Sequence, residues 1–142
     1  MSNKKVILIT GASSGIGYQT AEQLAKEGHI VYGAARRVDA MKPLEAFGVT
    51  PVRLDITDDA SIKEALNLII GKENRIDVLV NNAGYGSYGA VEDVTIEEAK
   101  KQFEVNIFGL ARLTQLVLPY MRKQKSGRII NVGSMGGRLT SY

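Results

Sequence analysis

Val6-Ile7-Leu8-Ile9 runs directly into Thr10-Gly11-Ala12-Ser13-Ser14-Gly15-Ile16-Gly17, an apolar strand-forming run that breaks into a glycine-rich loop just before a helical pattern. Three glycines within seven positions allow the backbone to approach a ligand closely while its N–H groups point outward. A phosphate at the start of the following helix is the natural occupant of such a turn. The spacing Gly11-x3-Gly15-x-Gly17 is not the usual GxGxxG. It is not a P-loop either, because no Lys-Ser or Lys-Thr follows the last glycine. Taken alone, the loop is equally compatible with simple strand–helix packing, so its meaning depends on its company.

Downstream, short β-branched runs alternate with longer helical patterns, which predicts an α/β fold, a Rossmann-type doubly wound parallel sheet. The first helix is expected from about Ile16 to Gly28, with Ile16, Thr20, Ala21, Leu24 and Ala25 on its inward face. Residues 30–34 and 49–54 read as the second and third strands. Thr57 is the expected N-cap of a second helix buried through Ile62, Ala65, Leu66 and Ile69 and closed by Gly71. Residues 76–80 form the fourth strand. Thr95-Ile96-Glu97-Glu98 matches a capping box opening one long helix to about Lys123, kinked by Pro119. That helix carries two apolar faces, one with Ala99, Phe103, Ile107, Leu110 and Val117, the other with Val105, Phe108, Leu113 and Leu116. Residues 128–132 are the fifth strand, and right-handed crossovers predict a strand order of 3-2-1-4-5.

Composition narrows the class of function. A chain of 142 residues is about one domain, and its 44% hydrophobic and 23% charged content describes a globular protein. It has no cysteine and only one histidine, His29, so a disulfide framework or a thiolate metal site is not expected, nor any metal site at all. The net charge of +3 is spread along the chain and does not call for nucleic acid. No apolar run approaches the roughly 18 residues of a membrane span, and Met1-Ser2-Asn3-Lys4-Lys5 leads straight into a strand. A cytoplasmic protein with neither nucleic-acid nor membrane partner is expected.

The loop has specific neighbours. Asn81-Asn82-Ala83-Gly84 ends the fourth strand, Asp55 ends the third, Asn106 lies within the long helix, and Gly133-Ser134 closes the fifth strand. In this order over residues 5–142 the set resembles the classical short-chain dehydrogenase/reductase family, whose members are oxidoreductases using nicotinamide dinucleotides. The resemblance implies that Gly11, Ser13, Ser14, Gly15, Ile16 and Gly17 cradle a pyrophosphate. It further implies that Asp55 and Ile56 flank the adenine, and that Asn82, Ala83 and Gly84 support the central strand and the adenosine ribose. Ser134 and Asn106 fall on the positions of the serine that steadies the substrate oxygen and of the asparagine that anchors a water relay.

Cofactor choice follows from charge. NAD-preferring members close the second strand with a carboxylate that would repel a 2′-phosphate. Counted from Gly28, that position is Ala35, followed by Arg36 and Arg37. Guanidinium groups pair bidentately with phosphate, so NADP (NADPH) is expected and NAD less so. The alternative is that Arg36 and Arg37 are a solvated pair.

One departure from the family pattern matters. The family's Tyr-x-x-x-Lys pair lies on the next helix, the tyrosine about 13 residues beyond the serine, whereas Tyr142 stands only eight positions after Ser134. Tyr142 is therefore not assigned the catalytic role, and Tyr85 and Tyr88 are expected to line the substrate mouth or cover the loop. The expectation is an incomplete dinucleotide-binding domain over 1–142, truncated after the fifth strand. It would be the N-terminal fragment of an alcohol–carbonyl oxidoreductase, inactive alone and driven into homo-oligomers by its uncovered helix face and strand edge. A naturally short, non-catalytic dinucleotide- or partner-binding module is the alternative.

Overall fold

The computed structural model describes residues 3–87 and 89–139, so expectations for Tyr88 and Tyr142 lie outside the described residues. Five strands, β1 (Val6–Thr10), β2 (Ile30–Ala35), β3 (Thr50–Arg53), β4 (Val78–Asn81) and β5 (Arg128–Asn131), form one parallel sheet in the order β3-β2-β1-β4-β5. This is the predicted order. β1 lies at the centre and is buried throughout, as a strand covered on both faces must be.

Alternation along β1 divides the core in two. Val6 and Leu8 face one layer with Ile62, Leu66 and Ile69 of α2 (Asp59–Glu73) and Leu113, Val117 and Met121 of α4 (Leu110–Gln124). Ile7 and Ile9 face the other, with Ala21 of α1 (Gly15–Lys26) and with Met41 and Leu44 of a 3-10 segment, Asp39–Phe47, that the sequence pattern did not predict. The loops that follow β1, β2, β3 and β4 therefore all emerge at the carboxyl edge of the sheet, where strand order reverses around β1.

Several local expectations change. Asp58, not Thr57, caps α2, its carboxylate accepting from Ala60 N–H at 3.0 Å, while the Thr57 hydroxyl donates to Asp55. Gly71 does not close α2, which continues to Glu73 and ends at Asn74 in the left-handed region. Ile16 does not join the core but is 66% exposed at the start of α1.

The single long helix is instead three pieces. α3 (Ile96–Phe103) is followed by a π-helical segment, Glu104–Gly109, and then by α4, which runs through Pro119 to Gln124. A π turn advances the helix phase, so a 3.6-residue period drawn through residues 99–117 groups the wrong residues. The buried stripe is Leu113, Val117 and Met121, while Phe103, Ile107 and Phe108 are each more than half exposed. The expected grouping of Val117 with Phe103 and Ile107 is thus corrected. At the sheet edge, Ile130 and Val132 are also largely exposed.

Candidate functional site

The loop between β1 and α1 adopts its shape through left-handed backbone at Gly11 (φ 64°) and Gly15 (φ 58°). A Cβ at Gly11 would stand 2.9 Å from Ala83 Cα, so only glycine lets the two loops touch. At Gly15 no atom lies within 4 Å of the Cβ position, leaving that side of the backbone open. Ser14 occupies the α1 N-cap in extended conformation with no side-chain cap, and the first turn carries no acid. The leading N–H groups and the positive end of the helix dipole are thus available to an anion.

Gly17 plays a different part. It is buried, and a Cβ there would meet Gly11 O at 2.4 Å and Asn82 Nδ2 at 2.5 Å, which makes it a packing position between α1 and the neighbouring loops.

Thr10, which the sequence reading left out, holds the two loops together. Its buried Oγ1 accepts from the N–H groups of both Asn82 and Ala83 at 3.0 Å. Asn82 Nδ2 in turn donates to Gly11 O at 3.2 Å. Asn81 works one step back: its buried Nδ2 donates to Asn131 Oδ1 (2.9 Å) and Thr114 Oγ1 (3.2 Å), tying β4 to β5 and α4.

These loops enclose a cavity of about 910 Å³, within the range of a cofactor site. Its lining follows the strand order: Asp55 and Ile56 after β3 and Arg36 after β2 form one rim, Gly11, Ser13, Ser14 and Ile16 after β1 come next, and Asn82, Ala83 and Gly84 after β4 follow. Gly15, Gly17, Arg37, Asn106 and Ser134 do not line it. Thr57, Tyr85, Lys101, Glu104 and Val105 do; Thr57 follows directly on Asp55 and Ile56, whereas Lys101, Glu104 and Val105 could not be found from spacing, because α3 and the π segment reach the cavity only through tertiary packing.

The rim is electrostatically defined. Asp55 Oδ1 accepts from Thr57 Oγ1 (2.7 Å) and Thr57 N–H (3.0 Å), and these bonds hold its carboxyl below the usual aspartate range. Partial burial opposes the shift, and the charges of Arg36 and Arg53 reinforce it. Asp55 is therefore ionised near neutrality beside Arg36.

A polar ladder fixes the loop after β4. Glu98, Gln102 and Asn106 stand four residues apart along α3 and the π segment. Glu98 accepts from Ser87 Oγ, Gln102 Oε1 accepts from Ser87 N–H (3.0 Å), and Asn106 meets Tyr85 twice. Asn106 Oδ1 accepts from Tyr85 N–H (3.0 Å), and its Nδ2 donates to Tyr85 O (2.7 Å). Glu98 thus spends its side chain on Ser87 in place of the reciprocal half of a capping box, although Thr95 Oγ1 does accept from Glu98 N–H at 3.1 Å. Ser134, exposed beyond β5, accepts from Gly136 N–H at 3.0 Å.

Among the described residues, no group of three or more potential metal ligands is assembled, and no helix is long and apolar enough to cross a membrane.

Comparison with known proteins agrees with this arrangement. The chain is 48% identical over 134 residues to a 3-ketodihydrosphingosine reductase of Bacteroides thetaiotaomicron, covering 94% of this chain and 48% of that protein. It superposes with a TM-score of 0.92 and 41% identity on a short-chain dehydrogenase from Streptomyces avermitilis, covering 99% of this chain and 53% of that one. An actinorhodin polyketide ketoreductase solved with NADPH gives a TM-score of 0.91 at 32% identity, over 98% of this chain and 56% of that one. The chain spans about half the length of the curated relatives it matches. The family model for short chain dehydrogenase matches residues 5–142, and the chain belongs to that family of oxidoreductases.

Proposed function

We propose that residues 1–142 form the cofactor-binding part of an NADP(H)-dependent oxidoreductase that interconverts an alcohol and a carbonyl. The observation that carries the reading is the pairing, around one cavity, of an uncapped helix N-terminus behind the Gly11–Gly15 loop with Arg36 at the end of the adjacent strand β2. The residues fit a dinucleotide: backbone N–H groups at Ser14–Ile16 receive the pyrophosphate, and Arg36 receives a 2′-phosphate where Ala35 offers no competing carboxylate. Arg37, outside the cavity, adds long-range attraction only.

Asp55 and Ile56 border the adenine, and Asn82, Ala83 and Gly84 the ribose. The bound nicotinamide supplies or accepts the hydride. Ser134 steadies the substrate oxygen, and Asn106 acts by fixing the Tyr85 backbone beside the reaction centre. We assign the general acid/base to no residue of this chain. The matched relatives include two proteins named reductases and a ketoreductase as well as one named a serine dehydrogenase, and the majority supports the carbonyl-reducing direction. A cytoplasmic location and self-association through the exposed Phe103–Phe108 surface complete the proposal.

Fluorescence titration of the chain with NADPH and NADH tests the cofactor assignment. NADPH should bind at least tenfold more tightly, and Arg36→Ala should erase most of that difference. NADH binding as tightly as NADPH would refute it.

A further inference from the structure

Arg112 lies in the first turn of α4 and does not line the cavity, yet it contacts two groups that shape it. Its Nη1 pairs with Glu104 Oε1 at 2.5 Å, and its Nε lies 3.3 Å from Asp59 Oδ1. Glu104 is a cavity-wall carboxylate on the π segment. Asp59 is the first residue of α2, directly after the Asp55–Asp58 turn whose Asp55, Ile56 and Thr57 form the rim.

The π segment and the rim are pressed together beside this bridge. A Cβ on Gly109 would stand 2.7 Å from both the carbonyl oxygen and Cγ1 of Ile56. A shift of the π segment against α2 is therefore transmitted to Ile56 by direct contact. Charge adds a second consequence. The cavity lining carries two cations, Arg36 and Lys101, and two carboxylates, Asp55 and Glu104. Asp55 keeps its charge, so neutralising Glu104 leaves two cations against one carboxylate, a wall net positive toward a phosphate-bearing ligand.

We propose that Arg112 is a positioning residue for dinucleotide affinity: it draws the Glu104 carboxylate away from the ligand and, through Asp59, sets the Asp55–Thr57 rim. This rests on the reading that the cavity receives a nicotinamide dinucleotide. A guanidinium suits the task because its planar fork reaches both carboxylates at once, which an ammonium cannot do with the same geometry.

The test compares Arg112→Met, Arg112→Lys and Glu104→Gln by titration with NADPH, NADH and adenosine 2′,5′-bisphosphate. Amide hydrogen exchange at Ile56 and Thr57 is recorded alongside, without ligand. Arg112→Met should weaken all three ligands by a similar factor of about ten, as loss of a supporting partner behind a ligand-binding residue does in metal sites. Arg112→Lys should recover part of the loss. Adding Glu104→Gln to Arg112→Met should recover part as well, because the unpaired carboxylate is gone. Unchanged affinities in a folded Arg112→Met protein overturn the proposal.

If Arg112→Met fails to fold, the outcome rests on Arg112→Lys. Arg112→Lys binding all three ligands more weakly than the wild type by a common factor upholds it; Arg112→Lys binding as tightly as the wild type overturns it. NADH binding as tightly as NADPH would defeat the cofactor assignment while leaving the common factor intact. If no dinucleotide binds, exchange decides: faster exchange at Thr57 with Leu8 unchanged supports the positioning role, and unchanged exchange at Thr57 overturns it.

Discussion

The same substitution, glycine to alanine, should have opposite effects at Gly17 and Gly71. Both lie within helices, so alanine gains up to about 1 kcal/mol of helix propensity at each. At Gly71, exposed on α2, no atom lies within 4 Å of the added Cβ. The propensity gain is unopposed, and Gly71→Ala should stabilise the fold by about 0.5–1 kcal/mol. At Gly17 the Cβ would meet a backbone oxygen, Gly11 O, at 2.4 Å and Asn82 Nδ2 at 2.5 Å. Backbone cannot give way cheaply, so overpacking costs about 1–3 kcal/mol. The Asn82–Gly11 hydrogen bond at 3.2 Å is displaced with it, adding about 1 kcal/mol. The sum outweighs the propensity gain, and Gly17→Ala should destabilise by about 1–3 kcal/mol. Urea unfolding followed by far-UV circular dichroism measures both. In thermal melts, at about 3–4 °C per kcal/mol for a chain of this length, the two melting temperatures should move apart by about 5–16 °C. A Gly17→Ala protein as stable as the wild type would refute the packing role, and a destabilised Gly71→Ala would refute the helix argument.

Thr10→Val keeps shape but removes the acceptor of two partly buried N–H groups, those of Asn82 and Ala83. It should cost about 2 kcal/mol, taking the lower range of about 1 kcal/mol per group, while Thr10→Ser should retain most of that; equal stability of the two variants would count against the hydroxyl. Asp55 has a folded pKa below its unfolded value, so its contribution is present above the ordinary aspartate range near about 3.9 and is lost as pH falls through the depressed folded value. Thr57→Ala should raise the Asp55 pKa, read by carboxyl-carbon NMR titration, and reduce stability at pH 7 more than at pH 2. A midpoint that does not move would show that Thr57 is not the main cause.

Sequence alone determined the sheet. Five apolar runs separated by helical periods leave only a doubly wound parallel arrangement, and burial of β1 on both faces is written in Val6–Ile9 because no polar residue interrupts it. The shape of the β1–α1 loop was equally legible, since Gly11 and Gly15 answer a local backbone demand that no other residue meets at small cost. The π turn was not legible. Backbone hydrogen bonds shift from i→i−4 to i→i−5 there, and although Asn106 and Gly109 weaken the α-helix locally, neither specifies a π turn, so a single 3.6-residue period misgroups the helix faces.

The site depended on tertiary structure wherever a side chain's partner lies far along the chain. Thr10 reads as an ordinary strand end until Asn82 and Ala83 arrive beside it, some seventy residues later. Gly17 reads as part of a phosphate loop until Gly11 O and Asn82 close over it. Arg112 acquires its partners only when folding brings Glu104 and Asp59 within its reach. Local backbone geometry and strand periodicity are properties of neighbouring residues, and so the sequence determined them. Which side chains share the cavity is a property of distances between distant segments, and only the packed sheet and helices decided it.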